Sequence, residues 1–305
     1  MVAKPFLKWA GGKGQLLPQL KEYYPAGLEN GSIEKYFEPF VGGGAMFFHI
    51  QEKYGQKDCH LFDFNEELIL AYLTIRKNVV SVVENLWAIQ EKYQSLSDDE
   101  RKEYFYGVRE DFNASKEDID YDNYSIEWVK RTSQIIFLNR TCFNGLFRVN
   151  SKGGFNVPFG KYKNPQICNR DNLFAVSECL KNVTIIRGDF EISKEEINSK
   201  SLVYFDPPYR PISETASFTS YSGNEFGDKE QLRLAKYFRE LDSKGAKLML
   251  SNSDPKNIDP DDDFFEKAYR GFNLNVIRSN RRINSKGDKR GPINELIITN
   301  YEANT

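Results

Sequence analysis

Apolar and polar positions follow two patterns along this chain, one typical of strands and one typical of helices. Short apolar or β-branched runs predict strands near both ends of the chain, and stretches with helical periodicity separate them. The predicted strands cover residues 33–40, 59–63, 183–187, 202–205, 247–251, 274–279 and 295–300. Because strands alternate with helices, the pattern favours an α/β fold with one doubly wound, mostly parallel sheet.

A mainly helical block interrupts this alternation. Helical patterns cover residues 45–54, 66–77, 79–93, 98–112 and 125–139. Phe147 to Val157 predicts a β-hairpin with Ser-Lys-Gly-Gly as its turn. The sequence therefore predicts one unit made of residues 1–69 and 169–305, and an inserted unit of residues 70–168.

Composition excludes several classes of protein. The 305 residues are 40% hydrophobic and 28% charged, which is typical of a globular protein. No apolar run reaches the length of a membrane span, and the first residues lack the apolar core of a signal peptide. The four cysteines and two histidines show neither metal-ligand spacing nor a disulfide framework. We therefore expect no metal site, no membrane partner and a reducing, cytoplasmic setting.

Charge is segregated although the net charge is only −2. Residues 128–170 contain eight cations and no Asp or Glu, and acid is concentrated at residues 98–103 and 117–122. Segregation of this kind predicts a phosphate-binding face, and a solvated surface is the alternative. The eight cations are Lys130, Arg131, Arg140, Arg148, Lys152, Lys161, Lys163 and Arg170. A second cluster comprises Arg278, Arg281, Arg282, Lys286, Lys289 and Arg290.

The motif Asp206-Pro207-Pro208-Tyr209 follows the apolar run of residues 202–205. It places one carboxylate at the carboxyl end of a buried strand, where ligands bind in open α/β sheets. The prolines fix their φ angles and direct carbonyl acceptors, and the tyrosine adds an aromatic face. The motif suits a flat group that donates hydrogen bonds, such as the amino group of a nucleobase. An ordinary turn is the alternative.

A glycine-rich turn follows the first predicted strand, in Glu38-Pro39-Phe40-Val41-Gly42-Gly43-Gly44. Glycines there allow close approach of a ligand at a helix N-terminus. Asp63 ends the second predicted strand about twenty residues later, where a carboxylate can accept hydrogen bonds from ribose hydroxyls. Asp63 could instead cap the helix that begins near Glu66.

The segment Lys8-Trp9-Ala10-Gly11-Gly12-Lys13 superficially resembles a P-loop. The spacing fails, because Leu7 stands where the first glycine is needed and Gly14 stands where Ser or Thr should hold magnesium. A P-loop nucleotide hydrolase is therefore disfavoured. The segment either closes over a cofactor or packs Trp9 for stability.

Amides, arginines and aromatic residues interleave from Asn139 to Tyr162. Arg148 could read guanine bidentately in a major groove, and Phe143 and Tyr162 could stack on bases or wedge between them. A basic hairpin that touches only phosphates is the alternative, and the residues alone leave the choice open.

Taken together, these motifs resemble the group alpha DNA adenine N6-methyltransferases, and in particular the Dam-type enzymes that methylate adenine in GATC. The resemblance implies a Rossmann-like methyltransferase sheet, with S-adenosylmethionine bound by residues 1–69 and 169–305 and double-stranded DNA recognised by residues 70–168. The matching segments are residues 8–13, 38–44, 63, 139–162 and 206–209, with Pro211, Ala216, Phe218 and Tyr221 trailing the last motif.

The resemblance also assigns roles to residues. It implies that Asp206, Pro207, Pro208 and Tyr209 are catalytic. It implies cofactor contacts by Trp9, Lys13, Glu38, Phe40, Gly42, Gly44, Asp63, Asp206 and, near the cofactor adenine, Asp189 and Phe190. It implies DNA contacts by Arg140, Phe143, Asn144, Leu146, Arg148, Asn156, Pro158, Lys161 and Tyr162, with Phe143 as the intercalating ring.

Several alternatives stay open at this point. Methylation of cytosine N4, RNA adenine or a protein glutamine uses similar motifs, although relatives acting on cytosine usually carry Ser, and those acting on glutamine Asn, at the position of Asp206. A catalytically silent DNA-binding relative is a second alternative. The sequence does not decide whether a cognate restriction nuclease acts beside the protein, and the acidic stretch at residues 95–124 carries no recognisable motif.

Overall fold

A single seven-stranded sheet forms the centre of the molecule. The computed structural model describes residues 2–9, 11–210, 226–280 and 292–303. The strands are β1 (Lys35–Glu38), β2 (Asp58–Asp63), β3 (Thr184–Arg187), β4 (Ser201–Phe205), β5 (Lys247–Ser253), β6 (Asn273–Asn280) and β7 (Pro292–Thr299). Their order is β3-β2-β1-β4-β5-β7-β6, with β7 antiparallel to both of its neighbours and the other pairs parallel. The predicted α/β fold with a mostly parallel sheet is confirmed.

Helices connect these strands and cover the sheet. They are α1 (Leu17–Leu20), α2 (Gly27–Asn30), α3 (Ala45–Tyr54), α4 (Glu66–Ser95), α5 (Asp98–Ala114), α6 (Glu127–Thr141), α7 (Arg170–Cys179), α8 (Asp228–Ser243) and α9 (Phe264–Ala268). The two helical patterns predicted on either side of Asn78 join into α4, with a kink where Asn78 leaves helical geometry (φ −147°, ψ 57°). Among the described residues, no helix is long and apolar enough to cross a membrane.

The sheet is buried on both faces. Adjacent residues of β1 show this, because Tyr36 packs into one hydrophobic cluster and Phe37 into the other, and both side chains are fully buried. The same alternation places Tyr204 of β4 in the first cluster and Phe205 in the second. Strands buried on two faces read as continuous apolar runs, which is why residues 202–205 predicted a strand.

Strand order brings three chain segments to one edge of the sheet. The order reverses between β1 and β4, and ligands of doubly wound sheets bind at such a switch point, beyond the carboxyl ends of the strands. The glycine-rich turn follows β1, Asp63 ends β2, and Asp206 follows β4. The topology therefore brings the separate sequence motifs together.

The block between β2 and β3 consists of α4, α5, α6, α7 and the predicted hairpin. The hairpin forms, since Val149 and Phe155 make an antiparallel bridge and the Asn156 amide donates to the Arg148 carbonyl at 3.0 Å. α5, the acidic helix, supports it. Asn113 of α5 bonds the amide of Phe155 through Oδ1 at 2.7 Å and its carbonyl through Nδ2 at 3.0 Å.

A buried ion pair fastens α6 to the beginning of α4. The Arg131 side chain is 1% exposed, and its Nε donates to Glu67 Oε2 at 3.0 Å. Its guanidinium also lies 3.5 Å from the ring centroid of Phe112 and donates to the Phe112 carbonyl. The Tyr121 hydroxyl donates to Glu67 Oε1 at 2.6 Å. This network joins α4, α5, α6 and the loop before α6.

Removing one partner of this pair should destabilise the fold strongly. Arg131→Met leaves the Glu67 carboxylate buried without its cation, which costs about 3–5 kcal/mol. The matched control is Lys130→Met, because Lys130 is exposed and its partner is the half-exposed Asp111. In urea unfolding, the control should lose about 1 kcal/mol or less of its free energy of unfolding. Equally small losses of unfolding free energy in both variants would contradict the prediction that the Arg131–Glu67 pair is important for stability.

Candidate functional site

Asp206 lies at the carboxyl end of β4, and the described residues engage one of its two carboxyl oxygens. Its side chain is 20% exposed. Oδ1 accepts from Lys13 Nζ at 2.7 Å and from Ser251 Oγ at 3.1 Å. Neither Oδ2 nor the Pro207 carbonyl has a donor within the described residues. Burial raises the pKa of the Asp206 carboxyl, and Lys13 counteracts that rise.

Lys13 is held inside this site rather than at its rim. Its side chain is 3% exposed, and besides Asp206 its Nζ contacts the Gly11 carbonyl at 3.1 Å and the Tyr209 hydroxyl at 2.5 Å. The Tyr209 hydroxyl in turn donates to Glu295 Oε2 at 2.6 Å. Lys13, predicted as a cofactor contact, therefore directly contacts two residues of the predicted catalytic motif.

The backbone of residues 206–209 is fixed by a second set of contacts. Gln231 of α8 is fully buried, and its Nε2 donates to the Pro208 carbonyl at 3.0 Å. Asn252 of β5 contacts Gln231 at 3.2 Å and accepts from the Arg210 amide at 3.3 Å. These amides hold the turn from β5 and α8, so its orientation does not depend on the two prolines alone.

The glycine-rich turn has the backbone geometry that close approach requires. Gly42 has φ 48° and Gly44 has φ 71°, a region that residues with a Cβ adopt rarely. A Cβ on Gly42 would lie 2.9 Å from the Trp9 ring, and one on Gly44 would lie 2.6 Å from the Tyr72 hydroxyl. Both positions need glycine for conformation and for space.

Asp63 ties the turn to the end of β2. Its Oδ2 accepts from the Gly42 amide at 3.0 Å, and its Oδ1 accepts from the Asn65 amide at 2.9 Å. Burial raises the pKa of Asp63, and these amides oppose the rise. Asn65, whose Oδ1 accepts from the Leu68 amide at 3.0 Å, caps α4. The alternative that Asp63 caps this helix is therefore wrong, and its carboxylate keeps further acceptor positions.

Glu38 is among the most buried of the predicted cofactor residues. It is 2% exposed at the end of β1, and its Oε2 accepts from the Tyr36 hydroxyl at 2.7 Å. Burial raises the pKa of Glu38 well above its ordinary value. Its carboxyl is held in the interior by Tyr36 and by the backbone at Phe47.

Aromatic rings form one wall beside the glycine-rich turn. Phe40 lies 5.5 Å from Phe190 and 5.6 Å from Phe226 between ring centroids. Arg233 of α8 covers Phe190 at 4.0 Å and binds both oxygens of Asp189 at 2.8 and 2.6 Å. That hydrogen bonding lowers the pKa of Asp189. Asp189 and Phe190 thus lie beside Phe40, with the Asp189 carboxylate already paired.

Trp9 links this region to the hairpin. Its ring covers Gly42 on one side and stacks on Phe147, with centroids 5.4 Å apart and planes 18° apart. Lys8 beside it holds its ammonium 5.0 Å from the ring centroid of Tyr162. The N-terminal segment therefore contacts both the glycine-rich turn and the block around the hairpin.

Several predicted DNA-binding residues gather at the base and edge of the hairpin. The Phe143 amide donates to the Pro158 carbonyl at 2.8 Å, and the Phe143 ring is 53% exposed. Arg148 Nε donates to Asn156 Oδ1 at 2.8 Å across the hairpin. Asn144 and Lys161 both have positive φ, at 59° and 54°. Pro158 and Lys161 are exposed, and Asn144, Leu146, Arg148, Asn156 and Tyr162 are half-buried.

The cations of residues 128–170 do not all belong to one face, and the structure corrects that prediction. Arg131 is buried against Glu67, and Lys130 pairs with Asp111 at 2.8 Å. Arg140 donates to the Phe6 carbonyl at 2.8 Å, and burial lowers its pKa. An acid-free run in the sequence is thus partly neutralised by acids from α4 and α5. Within the second cluster, residues 281–290 lie outside the described residues, as do Pro211, Ala216, Phe218 and Tyr221.

Sequence reasoning missed several residues that hold the predicted site residues in place. Ser251, Gln231, Arg233 and Glu295 all contact predicted site residues. Glu295 offered a signal, because it is a carboxylate inside the apolar run of β7. Gln231 offered none, since a glutamine on an amphipathic helix is ordinary.

Comparison with known proteins identifies the family. The chain matches the D12 class N6 adenine-specific DNA methyltransferase family over residues 9–283. It is 52% identical to the Type II methyltransferase M.MjaIII of Methanocaldococcus jannaschii over 99% of this chain and 100% of that one. It is 40% identical to the Type II methyltransferase M1.LlaDCHI of Lactococcus lactis subsp. cremoris, over 98% and 95% of the two chains. It is 33% identical to a DNA adenine methylase of Vibrio cholerae, over 96% and 95%. The chain belongs to the D12 class of N6 adenine-specific DNA methyltransferases.

Proposed function

We propose that this enzyme transfers a methyl group from S-adenosylmethionine to N6 of an adenine flipped out of double-stranded DNA, within GATC. The observation that carries the proposal is the state of Asp206. One of its oxygens is held by Lys13 and Ser251, while Oδ2 and the adjacent Pro207 carbonyl have no donor within the described residues. Two acceptors at one strand end match the two hydrogens of an exocyclic amino group.

The turn after β1 fits the cofactor. Gly42 and Gly44 let Trp9 and Tyr72 pack directly against the turn, which fixes its shape, and Asp63 retains acceptor positions for the ribose hydroxyls. The half-buried Phe40 offers an apolar face for an adenine ring, and the buried Phe190 packs against it. When bound there, S-adenosylmethionine supplies a methyl group on a positively charged sulfur. The acidic side chains Asp63 and Asp206 complement that charge.

Asp206 and Pro207 prepare the nucleophile. Adenine N6 is a poor nucleophile because its lone pair is conjugated with the ring. Hydrogen bonds from its two hydrogens to Asp206 Oδ2 and the Pro207 carbonyl draw the nitrogen toward tetrahedral geometry, which frees the lone pair. Lys13 keeps Asp206 ionised although burial raises the pKa of that carboxyl. Catalysis then rests on positioning and on prearranged charge.

Tyr209 holds the adenine ring outside the duplex. Flipping a base costs a few kcal/mol, and stacking on an aromatic face offsets part of that cost. The Tyr209 hydroxyl is already used by Lys13 and Glu295. Its contribution is therefore the ring rather than the hydroxyl.

The hairpin and its flanks would face the DNA. Phe143 is an exposed ring beside Pro158, suited to fill the space left by a flipped base. Arg148 would read a guanine once its bond to Asn156 is exchanged. Exposed Lys152 and Lys161 would contact phosphates. Because DNA is the substrate, we place the enzyme in the cytoplasm with the chromosome or a phage genome.

Asp206 should be indispensable for methyl transfer. Asp206→Ala and the isosteric Asp206→Asn remove the anionic acceptor, so activity should fall by at least about 10²–10³-fold. Duplex binding should persist, because DNA affinity comes mainly from cations elsewhere. Incorporation of tritiated methyl groups measures the first, and a gel-shift titration the second. Asp263→Asn, an exposed carboxylate paired with Lys267, is the control expected to keep activity. An active Asp206→Ala enzyme would refute the proposal.

Asp63 should govern cofactor affinity. Asp63→Ala removes an acceptor for ribose hydroxyls, so the affinity for S-adenosylmethionine should fall by about 10- to 100-fold, the range of one good hydrogen bond to a charged group. Calorimetric titration without DNA measures this. Asp58→Ala, at the opposite end of the same strand, is the matched control and should leave affinity unchanged. Similar affinities in both variants would rule out the ribose contact.

Arg148 should set preference at one guanine. A bidentate base contact discriminates by about 1–3 kcal/mol, so Arg148→Ala should relax selectivity at one position of the site by about 5- to 150-fold. Competition between duplexes that differ in a single base pair measures it. Lys152→Ala, in the hairpin turn, should weaken all duplexes alike. Uniform loss for Arg148→Ala would make Arg148 a phosphate contact.

Two broader points are testable together. Nucleoside mass analysis of treated DNA and RNA separates adenine N6 from cytosine N4 and from an RNA substrate. Mapping every modified adenine in a plasmid then tests GATC as the recognition sequence. Any other consensus would replace GATC while leaving the assigned chemistry in place.

A further inference from the structure

Glu295 is an acidic side chain in the apolar strand β7, and its position follows from strand direction. β7 runs antiparallel to β5, so the beginning of β7 lies at the edge where β4 and β5 end. Glu295 pairs in register with Ser253, two residues beyond the Asp206 partner Ser251. Its side chain is 8% exposed. A buried carboxylate at this edge requires partners, and the two that the described residues supply both belong to the site.

Those partners are Tyr209 and Lys13. The Tyr209 hydroxyl donates to Glu295 Oε2 at 2.6 Å, and Lys13 Nζ lies 3.9 Å from the same oxygen. Because Lys13 donates to the Tyr209 hydroxyl, that hydroxyl has a defined direction for its own hydrogen, toward Glu295. The tyrosine is therefore fixed at the far end of its ring, while its backbone is held by the turn.

We propose that Glu295 is a positioning residue for methyl transfer: it fixes the Tyr209 ring and shares Lys13 with Asp206. The inference rests on the proposed roles of Asp206 and Tyr209 and adds a residue to them. Without Glu295, the Tyr209 hydroxyl loses its acceptor and the Lys13 ammonium is attracted by Asp206 alone. The ring would then reorient, and Lys13 would compete with adenine N6 for Asp206.

The first test is a double-mutant cycle on the single-turnover rate of methyl transfer. Glu295→Ala should lower that rate by about 10- to 100-fold, the cost of a small misplacement of reacting groups. Dissociation constants for duplex DNA and S-adenosylmethionine should stay within about twofold. Tyr209→Phe removes the same hydrogen bond and keeps the ring, so it should show a similar loss. The double variant should be no slower than the slower single variant, since interacting residues are not additive.

The matched control is Glu266→Ala, which removes an ion-paired, partly exposed carboxylate on α9 and should leave the rate unchanged. A normal rate for Glu295→Ala, or losses that multiply in the double variant, would overturn the proposal. If Glu295→Ala does not fold, Tyr209→Phe decides by itself, because a normal rate in that variant refutes the hydrogen bond's role. An active Asp206→Ala enzyme would instead refute the proposed function.

The second test is a pH profile, which a merely structural role would not shift. Among the described residues, the titratable groups facing Asp206 are Lys13, Glu295 on β7, Glu38 on β1, Tyr204 on β4 and Tyr209 in the turn after β4. Asp206 acts ionised, so the rate falls as pH drops through its raised pKa. Glu295→Gln keeps an acceptor but removes a negative charge, which makes Asp206 easier to ionise and should move the acid limb to lower pH. An unmoved acid limb would contradict the sharing of Lys13.

Discussion

The pairing of the Asp206 carboxyl with the Lys13 ammonium, at the end of a buried strand, is the interaction on which the rest of the site depends. Burial raises the pKa of Asp206, and the Lys13 ammonium at 2.7 Å opposes it. Lys13 binds Oδ1 together with Ser251, and within the part of the chain that the structure describes Oδ2 keeps its acceptor capacity. Lys13 and Ser251 bind the same oxygen of Asp206. Lys13 thereby favours the ionised form of the carboxyl, and the two contacts together fix its orientation.

This arrangement requires the N-terminal segment to be anchored precisely to distant parts of the chain. The backbone amide and carbonyl of Lys4 form two hydrogen bonds with the side-chain amide of Asn172 in α7, both 2.9 Å long. The backbone amide and carbonyl of Lys8 form the same pair of hydrogen bonds with the side-chain amide of Asn139 in α6, both 2.8 Å long. Each asparagine mimics a strand partner for an otherwise unpaired segment. α6 and α7 therefore help to place Lys13 beside Asp206, although neither helix supplies a strand of the sheet.

Much of the fold was predictable because its signals are local. The apolar run before Asp206 is buried on both faces, so it announces a strand, and the glycines after β1 announce a turn. Asp206 and Asp63 could be placed at strand ends, and the sheet topology brings those ends together. The partners of these residues were not predictable, because they are distant in sequence. Ser251 and Glu295 meet Asp206 and Tyr209 through the order and direction of strands, and Lys13 does so through the anchoring of the N-terminal segment. The distribution of charge along the sequence was misleading for the same reason, since Arg131 pairs with Glu67, which lies 64 residues away in the chain.

The division of the chain into a sheet-forming unit and an inserted unit stays a prediction, but the contacts argue that the two are physically continuous. The predicted boundary at residue 69 falls within α4, a helix that contacts both β3 and α6. Trp9 packs on Gly42 and on Phe147, so one indole contacts both the glycine-rich turn and the hairpin. Phe147 in turn contacts Phe155, which Asn113 holds from α5. A displacement of the hairpin would therefore be felt at Gly42 through three side chains, because packed aromatic groups have little room to move independently.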